Sequence, residues 1–348
     1  MTKIVNIGGV NVGGGNKIAI QSMTNVKTEY VQKVAEQINA LHGAGCDIVR
    51  VAVKDENDAL AIKQLKNLVK CPLVADVHFD YRLAITAIEN GVDKVRINPG
   101  NIGKEENVKK VADCLKAHNV PVRVGSNSGS VEKEFLSKYG KNEISLAESA
   151  LKNVYALEKY GVTDIVISAK ASSVPLTVKT YEYLNGKTNY PLHIGVTEAG
   201  TYESGLVKSS VGLGALLLKG IGDTIRVSLT ADPIKEPYAA KKILRAVGLD
   251  DNYVEVVSCP TCGRTEYNSI ALAERVEELT KNINKKLKIA VMGCVVNGPG
   301  EAVDCDLGIA GSKKTCVIFK KGVIYKQVPF ENAEEEFIKE IYEIANEL

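Results

Sequence analysis

Five of the eight cysteines fall in the last 90 residues of the chain, in a pattern that could bind a metal. They are Cys259, Cys262, Cys294, Cys305 and Cys316. Cys259 and Cys262 form a C-x2-C pair, which can direct two thiolates at one metal centre, and Cys294 follows in a turn rich in Gly and Pro. Backbone N–H groups in such a turn can stabilise the sulfurs of an iron–sulfur cluster. The pattern leaves two chemistries open, a [4Fe–4S] cluster or a structural zinc completed by Cys305 or Cys316.

A second group of polar residues interrupts short apolar runs earlier in the chain. Its cations are Arg50, Arg96, Arg123, Lys170 and Arg226, and its other members are Asp76, Asn127, His193, Glu198 and Ser228. Cations buried in apolar strands need anionic partners, and the obvious internal carboxylates, Asp76 and Glu198, are fewer than the cations. We therefore predict a phosphate or diphosphate ligand, with Glu198 able to act as a proton donor beside it.

The elements that must position these side chains follow a regular strand–helix rhythm. The predicted strands are Ile18–Met23, Ile48–Val53, Leu73–Val77, Lys94–Asn98, Val122–Ser126, Ile165–Lys170, Leu192–Thr197 and Thr224–Leu229. These runs are nearly continuous in hydrophobicity, which is typical of parallel strands covered on both faces. Eight such units in about 250 residues predict a (β/α)8 TIM barrel, whose active site forms at the carboxyl ends of the strands. The Gly-rich segment 8–15 lacks a P-loop Lys and is interpreted as a hairpin that closes the barrel bottom.

The chain changes character after residue 250. We predict an α/β protein in which residues 1–250 form the substrate-binding barrel and residues 251–348 a small α+β domain that carries the cysteines. The last barrel helix runs away from the barrel mouth, and the linker 249–252 spans at most about 14 Å. The C-terminal domain therefore starts at the wrong end to cover its own barrel. A head-to-tail homodimer, in which each C-terminal domain caps the partner's barrel, would solve this problem.

Composition excludes several classes of function. The formal net charge of +2 gives no general attraction for nucleic acid or for a membrane surface. No apolar run approaches the roughly 20 residues that a membrane span requires. The first residues lack the apolar core of a secretory signal, and a disulfide framework is not expected in a reducing compartment. These observations favour a cytoplasmic protein.

Several motifs together resemble the 4-hydroxy-3-methylbut-2-en-1-yl diphosphate synthase family in its two-domain bacterial form. They are Gly13-Gly-Gly, Gln21-Ser-Met-Thr-Asn25, Val95–Gly103, Gly195–Gly200, Cys259–Arg264 and Met292–Glu301. The resemblance runs over essentially the whole chain. It implies the reductive ring opening of 2-C-methyl-D-erythritol 2,4-cyclodiphosphate to the linear diphosphate of the non-mevalonate isoprenoid pathway. It also implies flavodoxin or ferredoxin as the electron donor.

The resemblance also assigns roles to individual residues. It implies that Cys259, Cys262, Cys294 and Glu301 ligate a [4Fe–4S] cluster, with Glu301 the more exchangeable ligand because a carboxylate is harder than a thiolate. It implies catalytic roles for Glu198, Glu301 and Asn297. The diphosphate contacts that it implies are Arg50, Arg96, Arg123, Asn127 and Lys170, and we add His193, Arg226 and Ser228 as further substrate-binding candidates.

Two other functions remain compatible with the residues alone. A barrel lyase or synthase acting on a phosphorylated substrate could carry a structural zinc domain. An electron carrier or cluster-transfer protein would have the cluster and no catalytic role. Zinc in place of iron and sulfide would favour the lyase, and a cluster that the cyclic diphosphate does not perturb would favour the carrier.

Overall fold

The structure, a computed structural model, describes residues 1–265, 267–296, 298–312 and 314–347. The chain divides into two compact units, Met1–Leu249 and Asp250–Leu348. Among the described residues, no helix combines the length and the apolar content that crossing a bilayer would need.

The first unit begins with an antiparallel hairpin, β1 (Val5–Ile7) and β2 (Val10–Val12). Its apolar side chains pack against residues that belong to several barrel strands, among them Ile48, Val74 and Val166. The hairpin therefore closes one end of the barrel, as predicted from the Gly-rich segment. Gly13 is required there, because its φ is 86° and a Cβ would lie 2.0 Å from the carbonyl oxygen of Lys3.

Eight parallel strands and eight principal helices alternate through the rest of this unit, in the order expected of a (β/α)8 barrel. The strands are β3 (Ala19–Met23), β4 (Ile48–Val53), β5 (Leu73–Val77), β6 (Lys94–Ile97), β7 (Val122–Asn127), β8 (Ile165–Lys170), β9 (His193–Ile194) and β10 (Thr224–Ile225). The helices are α1 (Val31–Gly43), α2 (Glu56–Leu68), α3 (Tyr81–Glu89), α4 (Glu105–His118), the short α5 (Lys133–Tyr139), α6 (Glu143–Glu158), α7 (Val174–Asn185), α8 (Tyr202–Leu217) and α9 (Lys235–Ala246). Successive strands pair side by side, and a bridge between Ile167 and Leu192 links β8 to β9.

The predicted strand boundaries agree closely except at the last two strands, where the regular ladder is shorter. The chain leaves the ladder after β9 at Gly195 and turns at Glu198, whose φ of 52° is left-handed. After β10, the backbone N–H of Leu229 donates to the side chain of Glu236 at 3.2 Å instead of to a strand. At this position a side-chain acceptor therefore replaces the backbone carbonyl of a neighbouring strand.

The second unit is a mixed sheet with helices. Its strands are β11 (Val254–Ser258), β12 (Leu287–Met292), β13 (Leu307–Gly311), β14 (Thr315–Lys320) and β15 (Val323–Pro329), and its helices are α10 (Ser269–Thr280), the short α11 (Gly298–Glu301) and α12 (Phe330–Glu347). The strands follow one another in sheet order, with β11, β12 and β13 parallel and the last two antiparallel. Apolar side chains from α10 and α12, including Val276 and Phe337, form the core with the sheet.

Candidate active site

Asp76 organises the first part of the barrel site. It lies on β5, and its Oδ1 contacts Nη1 of Arg96 at 3.0 Å while its Oδ2 lies 3.6 Å from Nε of Arg50. Burial opposes ionisation of this carboxyl. The charge of Arg50, a hydrogen bond from His78 and the charge of Arg96 outweigh burial and hold the pKa of Asp76 well below its usual range. Asp76 is thus an ionised bridge between two cations.

Arg123 lies beside this group without a carboxylate of its own. The residue is 2% exposed, and its Nε and Nη1 have no hydrogen-bond partner. Burial, followed by the charges of Arg50 and Arg96, lowers the pKa of the Arg123 guanidinium well below its usual value. Nε of Arg96 is also buried and unpartnered. Buried donors without partners are costly, so this arrangement favours an anion that would accept from them.

Lys170 belongs to a buried chain of polar groups. Its Nζ lies 3.1 Å from Nε2 of His193, and Nδ1 of the same ring lies 2.6 Å from the hydroxyl of Thr224. Burial, and then the neighbouring cations, lower the pKa of both Lys170 and His193 well below their usual values. A neutral imidazole donates from one nitrogen and accepts at the other, so both ring nitrogens of His193 are used. Gly195 leaves space for this chain, because a Cβ there would lie 2.7 Å from Nζ of Lys170.

Arg226 has a different partner from the other cations. Its guanidinium donates from Nε and Nη2 to the carboxylate of Glu236, at 3.2 and 3.3 Å. The same buried carboxylate accepts from the hydroxyl of Ser22 at 2.7 Å. Glu236 was missed by sequence analysis, because an acidic residue in the first turn of a helix usually serves the helix dipole. Its contact with Ser22 spans 214 residues and leaves no local signal.

Lys94 is a second group that sequence analysis missed. The residue is fully buried on β6, and its Nζ contacts Oε1 of Gln21 at 3.5 Å. Burial, with the charges of Arg123 and Arg50, lowers the pKa of Lys94 well below its usual value. The signal was available, since Lys94 and Arg96 are two apart on one strand and therefore share a face.

The barrel interior consequently carries more cations than carboxylates. The cations are Arg50, Lys94, Arg96, Arg123, Lys170 and Arg226, and the buried carboxylates facing them are Asp76 and Glu236. The sequence prediction of a cation surplus therefore holds for the arrangement of these side chains.

The remaining barrel candidates lie in or beside the loops that follow the strands. Asn127 ends β7 and is exposed, and Glu198 is exposed in the loop after β9. Ser228 is half-buried just after β10. Because the carboxyl ends of parallel barrel strands meet on one face, these three residues lie on the same face as the buried cations.

Cys259, Cys262 and Cys294 lie on the two loops that follow the neighbouring strands β11 and β12. Cys259 directly follows β11, and Cys294 lies two residues beyond β12, the parallel neighbour of β11. The backbone N–H of Gly293 donates to Sγ of Cys259 at 3.1 Å. The two cysteine loops are therefore hydrogen-bonded to each other through a thiol sulfur.

Cys262 is exposed on the first of these loops. Thr265 contacts Cys262 and packs closely against the second loop at Gly293. The backbone N–H of Cys262 donates to Oγ1 of Thr265 at 3.3 Å, and a Cβ on Gly293 would lie 2.7 Å from the same oxygen. A backbone hydrogen bond from Arg264 lowers the pKa of the Cys262 thiol, with a further contribution from the Arg264 charge. This favours the thiolate, the form that binds metals.

Glu301 ends α11, which follows the Cys294 loop, and its side chain is exposed. The helix is joined to that loop by a hydrogen bond from the N–H of Gly298 to the carbonyl of Cys294 at 3.3 Å. Asn297, a predicted catalytic residue, lies outside the described residues. Cys305 and Cys316 are buried, and burial together with Asp304 raises the pKa of Cys305 to about 11.

The barrel shares its general fold with solved structures. Dihydropteroate synthase from Stenotrophomonas maltophilia aligns with 71% of this chain and 98% of its own, at 14% identity and a TM-score of 0.52. A truncated 3-deoxy-D-arabino-heptulosonate 7-phosphate synthase from Thermotoga maritima aligns with the same share of this chain and 94% of its own, at the same identity and TM-score. At this identity the likeness concerns the fold alone.

Sequence comparison gives a closer relationship. Residues 2–241 match the GcpE TIM-barrel domain, and residues 255–343 match the GcpE protein C-terminal domain. A relative from Caldanaerobacter subterraneus subsp. tengcongensis is 57% identical over all of this chain and 98% of its own length. A relative from Ruminiclostridium cellulolyticum is 52% identical over 99% of this chain and 98% of its own. Both are named 4-hydroxy-3-methylbut-2-en-1-yl diphosphate synthase (flavodoxin). The chain therefore belongs to the 4-hydroxy-3-methylbut-2-en-1-yl diphosphate synthase family of enzymes.

Proposed function

We propose that this enzyme opens the ring of 2-C-methyl-D-erythritol 2,4-cyclodiphosphate by two-electron reduction and releases 4-hydroxy-3-methylbut-2-en-1-yl diphosphate and water. The observation that carries the proposal is the buried cation surplus of the barrel, with unpartnered guanidinium nitrogens on Arg96 and Arg123. A diphosphate supplies several acceptor oxygens and the negative charge that this cluster lacks. Family membership selects the cyclic diphosphate among phosphorylated ligands.

The barrel residues bind and orient the substrate in this proposal. Arg123, which has no carboxylate of its own, is the principal anchor of the diphosphate, with Arg96 and Lys170 beside it. Arg50 and Asn127 extend the contact toward the mouth, and His193, Arg226 and Ser228 complete the proposed substrate-binding set. Arg226 is already paired with Glu236, so its net attraction for the diphosphate should be smaller than that of Arg123.

Glu198 is the proposed proton donor. It is exposed in the loop after β9, where its carboxyl can reach a ligand at the strand ends. The ring opening breaks the bond between carbon and a diphosphate oxygen, and a hydroxyl departs as water. We assign to Glu198 the transfer of a proton to that departing oxygen.

The residues that follow β11 and β12 in the second unit fit a [4Fe–4S] cluster held by Cys259, Cys262, Cys294 and Glu301. The three thiols lie on two adjoining loops and the carboxylate on the short helix that follows the second loop, and the Gly293 N–H already donates to a thiol sulfur, as backbone groups do around cluster sulfurs. Within the described ranges, no three His, Cys, Asp or Glu side chains are placed to hold a single metal ion. A four-iron cluster has its ligands spread around four irons, so its ligands need not converge on one point as those of a single metal ion must. When bound, the cluster would supply the two electrons.

The proposal includes partners and location. The relatives' names specify flavodoxin, so flavodoxin is the proposed electron donor, with ferredoxin as the other candidate. The short segment between α9 and β11 supports the head-to-tail homodimer inferred from the sequence. We propose a cytoplasmic location, with which the unpaired state of the eight cysteines is compatible.

Metal and sulfide analysis after strictly anaerobic purification tests the proposal most directly. About four iron and four sulfide per chain, with negligible zinc, are expected. Reduced flavodoxin should then convert the cyclic diphosphate to the linear product. Stoichiometric zinc without sulfide would overturn the redox chemistry and leave a phosphate-binding barrel with a structural zinc domain.

A further inference from the structure

A buried polar network on α6 lies outside the cation cluster. Asn153 and Ser149 are 3% and 0% exposed on this helix, and Glu132 lies in the segment between β7 and α5. The hydroxyl of Ser149 donates to Oε2 of Glu132, and Nδ2 of Asn153 donates to Oε1 at 3.2 Å. One helix therefore binds both oxygens of a carboxylate in the loop after β7.

The same asparagine side chain also holds the loop after β6. Its Oδ1 accepts from the backbone N–H of Gly100 at 2.7 Å, in the turn Pro99–Asn101. Its Nδ2 has a second acceptor, the carbonyl of Ser149, at 2.8 Å. A primary amide offers two N–H donors and an acceptor oxygen, and Asn153 uses all of them.

The contact with Gly100 is closely packed. A Cβ on Gly100 would lie 3.3 Å from Oδ1 of Asn153 and 3.4 Å from Oε1 of Glu132. The glycine therefore allows the turn to approach the network on α6. Groups from the two loops and from the helix meet here at hydrogen-bonding distance.

We propose that Asn153 is a positioning residue that fixes the loops after β6 and β7 relative to each other. These strands are neighbours in the barrel, with Arg96 in register with Arg123. Asn127 lies at the start of the second loop. A shift of either loop would move groups that we assign to diphosphate binding, so this inference rests on the proposed function. Asn153 touches no substrate in this role and acts through the loops.

Two substitutions separate the functions of the amide. Asn153→Leu removes its donors and its acceptor. Asn153→Asp keeps an acceptor for Gly100 and replaces the donor to Glu132 with a second carboxylate. Asn185→Asp, at the exposed end of α7, is the matched control for the same chemical change.

Hydrogen–deuterium exchange of the cluster-loaded, full-length protein gives a readout without substrate. In Asn153→Leu, exchange in residues 98–104 and 128–136 should rise together by about tenfold or more, because a hydrogen bond to the helix is lost in each. The control should match wild type. Unchanged exchange in both segments, or a rise in only one, would overturn the coupling of the loops.

The aspartate variant gives a test that general destabilisation would not pass. In Asn153→Asp, lowering the pH should place one proton between the two facing carboxylates, which restores a donor between the side chains. The cleft beside them also contains Glu105, Lys152, Lys159 and Tyr160, which are paired in surface contacts and are unchanged in this variant. The KM for the cyclic diphosphate, raised about tenfold near neutral pH, should fall toward the wild-type value as the pH is lowered, with kcat little affected.

Asn153→Leu should show no such recovery, and equal pH profiles for the two variants would contradict the proposed role of the donor. The proposed function can fail separately. If wild-type protein neither binds nor converts the cyclic diphosphate, the substrate assignment is wrong, and hydrogen exchange still decides whether Asn153 couples the loops.

Discussion

The barrel and the C-terminal unit hold their candidate functional groups in opposite ways. The barrel groups lie on consecutive strands, are largely buried and contact one another directly, as Asp76 does with Arg96. The cysteine groups lie on loops beyond the strand ends, and Cys262 is exposed. The fold alone therefore places the barrel charges, whereas the final arrangement of the cysteine side chains would depend on the proposed cluster. Disruption of one region should leave the other largely functional.

The largest effect should come from Cys294→Ser. Loss of a thiolate should remove most iron and sulfide and reduce turnover below about one thousandth of wild type. Calorimetry should nevertheless show pyrophosphate binding to the barrel within about twofold of wild type, because the buried cations belong to the first unit and Cys294 to the second. A comparable loss of pyrophosphate affinity would show that the two regions are not independent.

Arg123→Met should have the next largest effect and act on the barrel alone. Pyrophosphate affinity should fall by about tenfold to a hundredfold, with iron and sulfide content unchanged. Thermal stability without ligand should be unchanged or higher by about 1–2 kcal/mol, because a buried and poorly paired charge is replaced by an apolar chain. Arg82→Met, at an exposed ion pair with Asp80, is the control, and a large loss of stability in Arg123→Met alone would contradict this account.

Proton uptake on ligand binding should distinguish the buried Lys170 from an ordinary surface cation. The pKa of Lys170 is lowered in the free protein, and the negative charge of a bound ligand favours its ammonium form and raises that pKa. Pyrophosphate binding should therefore take up a fraction of a proton in the pH range between the two values. Calorimetry in buffers of different ionisation enthalpy measures this uptake, and Lys170→Met should remove the part that Lys170 contributes, with Lys94 and His193 as the other buried groups of lowered pKa. Equal uptake in both proteins would assign the proton elsewhere.

The lowered pKa of Lys170 also predicts the direction in which the free energy of unfolding changes with pH. Lys170 in the unfolded chain binds its proton up to a higher pH than in the fold, so its contribution makes the fold less stable at low pH. That cost should disappear as the pH rises toward the unfolded pKa of lysine. The pH dependence of thermal unfolding should therefore be shallower in Lys170→Met than in wild type.

The smallest effect should come from Cys305→Ala. This thiol is fully buried among apolar side chains, and its raised pKa disfavours the thiolate. Activity and iron content should stay within about twofold of wild type, with a loss of stability of about 1 kcal/mol for the missing sulfur. Loss of iron comparable to that in Cys294→Ser would make Cys305 a ligand and would revise the proposed set.

The barrel could be predicted from sequence because each strand carries its own local signal. Continuous apolar runs gave the strands, and cations inside those runs indicated the buried charges. The ladder is shorter than predicted after β10 because the Leu229 N–H bonds to Glu236, a side-chain contact that no strand pattern contains. Lys94 could also have been predicted as a buried cation, because residues two apart on a strand, such as Lys94 and Arg96, share a face.

The less predictable features depend on contacts between distant segments. The bond from Ser22 to Glu236 and the bond from Gly100 to Asn153 both join residues far apart in sequence. Their residue types have ordinary local roles, in a helix first turn and within a helix. The cysteine pattern alone likewise left zinc and a cluster open, and family membership is what favours the cluster.

The hairpin at the base of the barrel limits the routes by which a ligand can enter and leave. Val5, Ile7 and Val12 cover that end with apolar contacts, so a ligand of the buried cations is expected to enter and leave at the strand ends. Each product molecule must leave through the opening that the next substrate needs. Product should therefore be a competitive inhibitor with respect to substrate. The rate of product release at the strand ends sets an upper limit on turnover.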